Sequence, residues 1–224
     1  MRVAVIYHCE QTTARLDDAL TKAGTDVSRH YLHRGDKLPL GESFDRVIVL
    51  GGEMGAYEDE LHSWLAPEKL WLSDLVAAEV GVLGICLGSQ LLAAALGGTA
   101  YPAPKPEAGL IKLQVTESGR GDPTFARFGE WVFSLHQDTF GLPPGSTLLA
   151  SSDHFPQAFR CGSALAIQFH PDADLDLAKR WGKEEWSLLP AAGVDYDAYC
   201  HDLETADAAL DENSRAFFEA WLAE

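Results

Sequence analysis

The sequence predicts an α/β protein with a mostly parallel central sheet covered by helices. Three features carry that expectation. Apolar runs of strand length alternate with helically spaced apolar stripes through the first half, the pattern of strands joined by helical crossovers. The runs stop at glycine-rich turns such as Gly51-Gly52 and Gly84 to Gly88. The chain has 224 residues, 46% of them hydrophobic, within the range of one α/β core.

Val3 to Tyr7 reads as a buried strand, and Thr13 to Ala23 as a helix closed by Gly24. Asp26 to Leu32 carries a weaker strand signal before a polar loop containing Gly35 and Pro39. Arg46 to Leu50 is the clearest β run and ends abruptly in Gly51-Gly52. From Pro67 to Glu79, Leu70, Trp71, Leu75 and Ala78 recur at helical spacing, and Gly81 stops the helix. Val82 to Ile85 forms the next strand and Leu87 to Leu96 the next helix. Beyond Gly109 the pattern changes to short strands: Leu110 to Val115, Trp131 to Leu135, Ser146 to Ala150 and Ala164 to Phe169. Phe217, Ala220 and Trp221 form an i, i+3, i+4 stripe on a last helix, which reads as core packing. There is no repeat, low-complexity tract or linker, so the expectation is one domain over residues 1–224, with helices of about 173–224 completing it.

Composition removes several classes of function. A formal net charge of -17 repels nucleic acid and anionic lipid, so neither is an expected partner. The four cysteines, Cys9, Cys86, Cys161 and Cys200, show no C-x-x-C pair, and histidines and cysteines do not cluster at ligand spacing. No metal or cofactor is expected, and reduced thiols fit a cytoplasmic setting. The first apolar run is too short for a signal-peptide core and is cut off by His8 and Glu10. Val80 to Pro104 lacks charge, but its glycines, Ser89 and Gln90 read better as a buried strand entering a buried helix than as a membrane span.

The chemistry concentrates on Gly84-Ile85-Cys86-Leu87-Gly88. A strand passing sharply into a small-residue helix is the layout of a nucleophile elbow, here with cysteine as nucleophile. The turn forces a strained backbone at Cys86, and Gly84 and Gly88 remove the side chains that would collide there. The helix starting after Cys86 aims its first amides at the sulfur, which favours the reactive thiolate. A base is required, and the strand Ala164 to Phe169 delivers His170 at its C-terminal edge, where parallel sheets gather their active-site groups. In extended chain, residues i and i+2 face one side, so Asp172 can reach back to orient His170. His8, His30, His33, His62, His154 and His201 read as surface or structural, and Cys9, Cys161 and Cys200 as ordinary cysteines.

Three blocks, Gly51-Gly52-Glu53-Met54-Gly55, Gly84 to Gln90 and Gln168-Phe169-His170-Pro171-Asp172, resemble in order and spacing the signature blocks of class I glutamine amidotransferases. Leu135 to Phe140, Leu142-Pro143 and Gln157-Ala158-Phe159 look like the GMP-synthase-like branch. The resemblance implies a flavodoxin-like three-layer fold with an additional short-stranded β region. It also implies hydrolysis of a γ-glutamyl amide, typically that of glutamine, through a γ-glutamyl thioester. By that likeness Cys86 attacks, His170 shuttles the proton and Asp172 orients it. The main-chain N–H groups of Leu87 and Gly52 would hold the oxyanion. Gln90 would bind substrate through its side chain, and Met54, Gln137 and Asp138 mainly through backbone. Two departures stand out: the family usually has Glu in place of Asp172, a shortening of ~1.5 Å, and many synthetase-linked members have a small residue in place of Met54.

No G-x-x-x-x-G-K-[ST] motif accompanies these blocks, so either a synthetase is a separate polypeptide or none exists. The first expectation is a free-standing GMP-synthase-like amidotransferase that releases ammonia for a separate acceptor or synthetase. The second is a γ-glutamyl peptidase or hydrolase acting on γ-glutamyl peptides or amines. Peptidases and glyoxalases of the same fold are weaker alternatives, since they usually place His after the elbow cysteine, where Leu87 stands. A third class is a regulatory or binding module that kept the fold and lost efficient turnover, with Asp172 as its support.

Overall fold

The computed structural model describes residues 1–11, 13–39, 44–185 and 187–224. An eight-stranded sheet runs through its centre. Five strands are parallel and take the order β2 (Asp26–Tyr31), β1 (Arg2–Tyr7), β3 (Arg46–Val49), β4 (Gly81–Ile85), β10 (Ala164–Ile167). Three antiparallel strands then extend the sheet: β9 (Pro156–Cys161), β8 (Thr147–Ser151) and β6 (Gln114–Val115).

Each strand divides its side chains between two cores, as a period of two requires. Val3, Val5, Ile48, Leu165 and Ile167 face α1 (Ala14–Lys22) and the end of α7 (Tyr196–Ala223), meeting Leu16, Leu20, Phe217 and Trp221. Ala4, Ile6, Val47, Val49, Ala164 and Ala166 face α2 (Leu65–Ala77) and α3 (Leu87–Ala95), meeting Leu72, Leu87 and Leu91. The result is the three-layer α/β arrangement expected from the sequence. The uncharged stretch Val80 to Pro104 folds as β4, α3 and the start of β5, and no helix among the described residues is long and apolar enough to cross a membrane.

A second sheet pairs β5 (Thr99–Lys112) antiparallel with β7 (Trp131–Gly141). Its strands, of 14 and 11 residues, are longer than the short segments the sequence suggested. The pairing shifts register between Pro102 and Glu107, opposite Asp138 and His136. Phe133 and Leu135 of β7 pack with Leu177 of α5 (Leu175–Glu184), Leu189 of α6 (Leu188–Ala192) and Tyr199 of α7 in a third core. Short α4 (Glu117–Gly121) completes the α-helices among the described residues. Ser214 of α7 donates to the carbonyl of Pro171, tying the last helix to the turn that carries His170.

Because β1, β3, β4 and β10 are parallel, His8, Gly51-Gly52, Cys86 and His170 all emerge at one edge of the sheet. The chain segments farthest apart in sequence thus meet where the chemistry was expected.

Candidate active site

Cys86 sits between β4 and α3 with φ 53° and ψ -110°, a conformation non-glycine residues rarely take. Such strain costs ~1–3 kcal/mol and persists only where its surroundings over-determine it. They do so here. The Cys86 N–H donates to the Ile167 carbonyl at 2.9 Å, and the Cys86 carbonyl accepts from Ser89 Oγ at 2.6 Å and Ser89 N at 2.9 Å. A Cβ on Gly84 would lie 2.5 Å from the Gly88 carbonyl oxygen, and one on Gly88 2.1 Å from that of Val49. The crossing of strand and helix has room for neither. The N–H of Leu87, in the first turn of α3, belongs to those a helix leaves without internal partners.

Regular pairing of β10 stops at Ile167, short of the expected Phe169; the chain bends at Gln168–Phe169 and turns at Pro171–Asp172, tied down by two backbone bonds to other strands. Gln168 N donates to the Gln157 carbonyl and His170 N to that of Phe133, both at 2.8 Å. Asp172 thus comes back to His170 through the turn at Pro171–Asp172, not along the extended segment the sequence suggested. Gln168 Nε2 donates to Cys86 Sγ at 3.6 Å, and His170 Nδ1 lies 3.2 Å from Asp172 Oδ1. The shorter acid does reach the imidazole; its other oxygen, Oδ2, is buried without a hydrogen-bond partner. Trp181 packs its ring 4.9 Å from that of His170, which helps exclude water from the pair. Burial opposes a charge on His170, but the neighbouring Cys86 sulfur and Asp172 carboxylate together push its pKa up to about 10. An imidazolium facing a sulfur is the charge distribution a cysteine nucleophile needs.

A cavity of about 300 Å³ opens over Cys86 and His170. Gly52, Met54, Leu87, Gln90, Gln137 and Asp138 all line it, so every residue singled out in the sequence except Asp172, which stands behind His170, borders the same space. Gln90 directs its amide nitrogen to the Asp138 carbonyl at 3.1 Å and to Gln168 Oε1 at 3.3 Å. The Asp138 carbonyl also accepts from His136 Nδ1 at 2.8 Å, and His136 Nε2 meets Glu107 Oε2 at 3.1 Å. Burial works against the Glu107 carboxylate, yet bonds from His136 and Ser152 hold its pKa below the ordinary value. The backbone of β7 at the cavity wall is thus fixed by buried side chains.

Several lining residues were not singled out in the sequence: Tyr57, Trp181, Glu184 and Glu185 reach the cavity from segments without a motif. Gln168 stood in the same sequence block as His170 without being given a role, and it is the side chain that meets Cys86 Sγ. Cys9 also lines the cavity, but burial, followed by Glu53 and Cys86, raises its pKa to about 12, so it remains a thiol at neutral pH.

Comparison with known proteins agrees with this geometry. The family described as Glutamine amidotransferase class-I matches residues 4–181. The chain is 33% identical over 165 residues to the glutamine amidotransferase-like protein YfeJ of Salmonella typhimurium, covering 70% of this chain and 69% of that one. It is 31% identical over 180 residues to a subunit of the glutamine-hydrolyzing GMP synthase of Saccharolobus solfataricus, covering 77% and 89%. The crystal structure of a glutamine amidotransferase from Thermotoga maritima superposes with a TM-score of 0.88 at 29% identity, over 100% of this chain and 99% of that one. A buried cysteine on a strained strand-to-helix turn, a histidine and acid from the segment after the neighbouring strand, and the family match over most of its length place this chain in the class I glutamine amidotransferase family.

Proposed function

We propose that this chain hydrolyses the γ-amide of glutamine through a γ-glutamyl thioester on Cys86 and releases ammonia to a separate acceptor. The observation that carries the reading is Cys86, held at positive φ beside a His170 whose pKa is raised by that same sulfur.

The thiolate attacks the amide carbon, and the oxygen gains negative charge. Leu87 and Gly52 line the cavity, and this reading assigns their N–H groups to that oxygen. Imidazolium His170 protonates the departing nitrogen, the C–N bond breaks, and ammonia leaves a thioester. Neutral His170 then takes a proton from water as the water oxygen adds to the thioester carbon. Collapse expels the Cys86 thiolate, releases glutamate and restores the imidazolium. Asp172 acts through His170 by fixing its orientation. A relative named as one subunit of a GMP synthase makes a separate synthetase polypeptide the first partner to seek.

A second reading has its own observation. Glu10, Glu53, Glu58, Asp138, Glu184 and Glu185 line the cavity, with no lysine or arginine among the described lining residues. That lining favours a γ-glutamyl amide whose departing amine carries positive charge.

One experiment tests the chemistry and a second separates the readings. A glutamine-mimicking chloroketone or diazoketone should add one equivalent to Cys86 by intact mass and peptide mapping, and glutamine should release ammonia. Ammonia release unchanged in Cys86→Ala would overturn the assignment of the nucleophile. A higher kcat/KM for γ-glutamyl diamines than for glutamine would favour the second reading.

A further inference from the structure

His8 has no part in the reaction above, yet it is almost completely buried against the loop that borders Cys86. Its exposure is 1% and that of its partner Glu68 is 0%. His8 follows β1 and Glu68 lies on α2, 60 residues away. His8 Nε2 lies 3.0 and 3.1 Å from the two oxygens of Glu68, and Nδ1 lies 3.4 Å from the Gly51 carbonyl oxygen. The Gly51 carbonyl and a Glu68 carboxylate are both acceptors, an arrangement that a doubly protonated, positively charged ring satisfies. Burial opposes that charge, but Glu68 and the carbonyls of Gly51 and Leu50 outweigh it and raise the His8 pKa.

A buried ion pair is a poor device for stability, because desolvating two charges offsets much of their attraction. Its position suggests another use. The Gly51 carbonyl faces His8, and in a planar trans peptide the next N–H points the opposite way. That N–H belongs to Gly52, which lines the cavity. On the same loop, a Cβ added to Gly51 would lie 3.2 Å from His170 Cε1 and 3.5 Å from Cys86 Cβ, so the peptide stands directly over the reacting groups. A Cβ on Gly52 would meet His8 Cβ, Leu87 Cδ2 and Met54 Sδ at 2.8 Å each, so the loop is wedged between His8 and the first turn of α3.

We propose that the His8–Glu68 pair is a latch on the Gly51–Gly52 peptide, holding its carbonyl outward so that the Gly52 N–H is preset toward the developing oxyanion. His8 and Glu68 are positioning residues. Without the latch the peptide is free to turn over and offer the cavity a carbonyl, which repels the negative oxygen of the transition state. This rests on the reading of Gly52 as an oxyanion donor.

The test compares wild type with His8→Leu and with His8→Leu/Glu68→Met, the double variant leaving no unpaired charge in the core. Loss of one oxyanion donor lowers kcat for glutamine by ~10²–10³, with KM little changed. Alkylation of Cys86 by iodoacetamide is a direct displacement that develops no oxyanion, and its rate should stay at the wild-type value. Hydrolysis at the wild-type rate in a folded variant, or an equal fall in hydrolysis and alkylation, overturns the latch. A readout independent of turnover is the ¹⁵N spectrum of wild-type His8, where both ring nitrogens should carry protons at neutral pH. A neutral His8 ring overturns the proposal even if both variants fail to fold or the protein does not hydrolyse glutamine.

Discussion

Burial alone would strip His170 of its proton, and the Cys86 sulfur is the first of the neighbours that reverse this. Cys86→Ala should therefore lower the His170 midpoint well below the value of about 10 in the wild type, because desolvation then faces Asp172 alone. An NMR titration of the histidine ring measures this; an unchanged midpoint would refute the sulfur–imidazolium pair. The sign for stability follows from linkage. A histidine whose folded pKa is raised contributes stability fully below its unfolded value of ~6.5, and that contribution is lost as pH rises through about 10. Urea unfolding of wild type and Cys86→Ala should converge across that window. Cys86 and His170 were legible in the sequence because each follows a buried strand, Cys86 on the elbow; Asp172 was legible by its nearness to His170, although a turn and not the period of two brings it there. His8, Glu68 and Trp181 obey no local rule. His8 and Glu68 meet across 60 residues, and a lone histidine after a strand gives no sign of the carboxylate awaiting it.

The elbow itself is an encounter of elements, since the Cβ positions of Gly84 and Gly88 are filled by backbone from α3 and β3. Gly88→Ala would force a methyl to 2.1 Å from the Val49 carbonyl oxygen, displacing either α3 or the strand beneath it. Overpacking against backbone that cannot yield should cost ~3 kcal/mol or more, read by denaturant unfolding, and should slow Cys86 alkylation. Gly121→Ala, with no atom within 4 Å of the added Cβ, is the matching control and should be nearly neutral. The alternation of β1 to β4 with α1 to α3 was legible because buried parallel strands are short apolar runs bounded by glycine. The length of β5 was not. Its Tyr101-Pro102-Ala103-Pro104-Lys105-Pro106 reads as loop, because proline cannot donate to a ladder. It joins β7 there only through the register shift between Pro102 and Glu107, opposite the Asp138 and His136 that build the cavity wall. β9 escaped notice for a related reason, since Gln157, Ala158 and Phe159 are buried in succession and give no alternation on a strand set between β10 and β8.

Charge belongs to the whole molecule, where a net -17 surrounds a cavity lined by six carboxylates. Glu10 is paired with Arg34, but repulsion among the others is visible locally. Glu185 has its pKa raised by burial and then by Glu53 and Glu184, and Asp138 by burial and by Glu58 against a bond from Tyr57. A cation entering the mouth relieves that repulsion, whereas glutamine carries no net charge and gains little from it. The global charge had pointed only away from nucleic acid and lipid, because composition does not tell which carboxylates the fold gathers at one opening. The consequence is an ionic-strength dependence that differs between substrates. At low salt the field over the mouth should speed capture of a γ-glutamyl diamine by ~10-fold or more, and added salt should remove the advantage as the screening length drops from ~30 Å at 0.01 M to ~3 Å at 1 M. The kcat/KM of glutamine should stay nearly level over the same range. Steady-state rates for both substrates across that series measure the difference. Parallel salt curves would show that the six carboxylates do not steer substrate, leaving glutamine as the better reading.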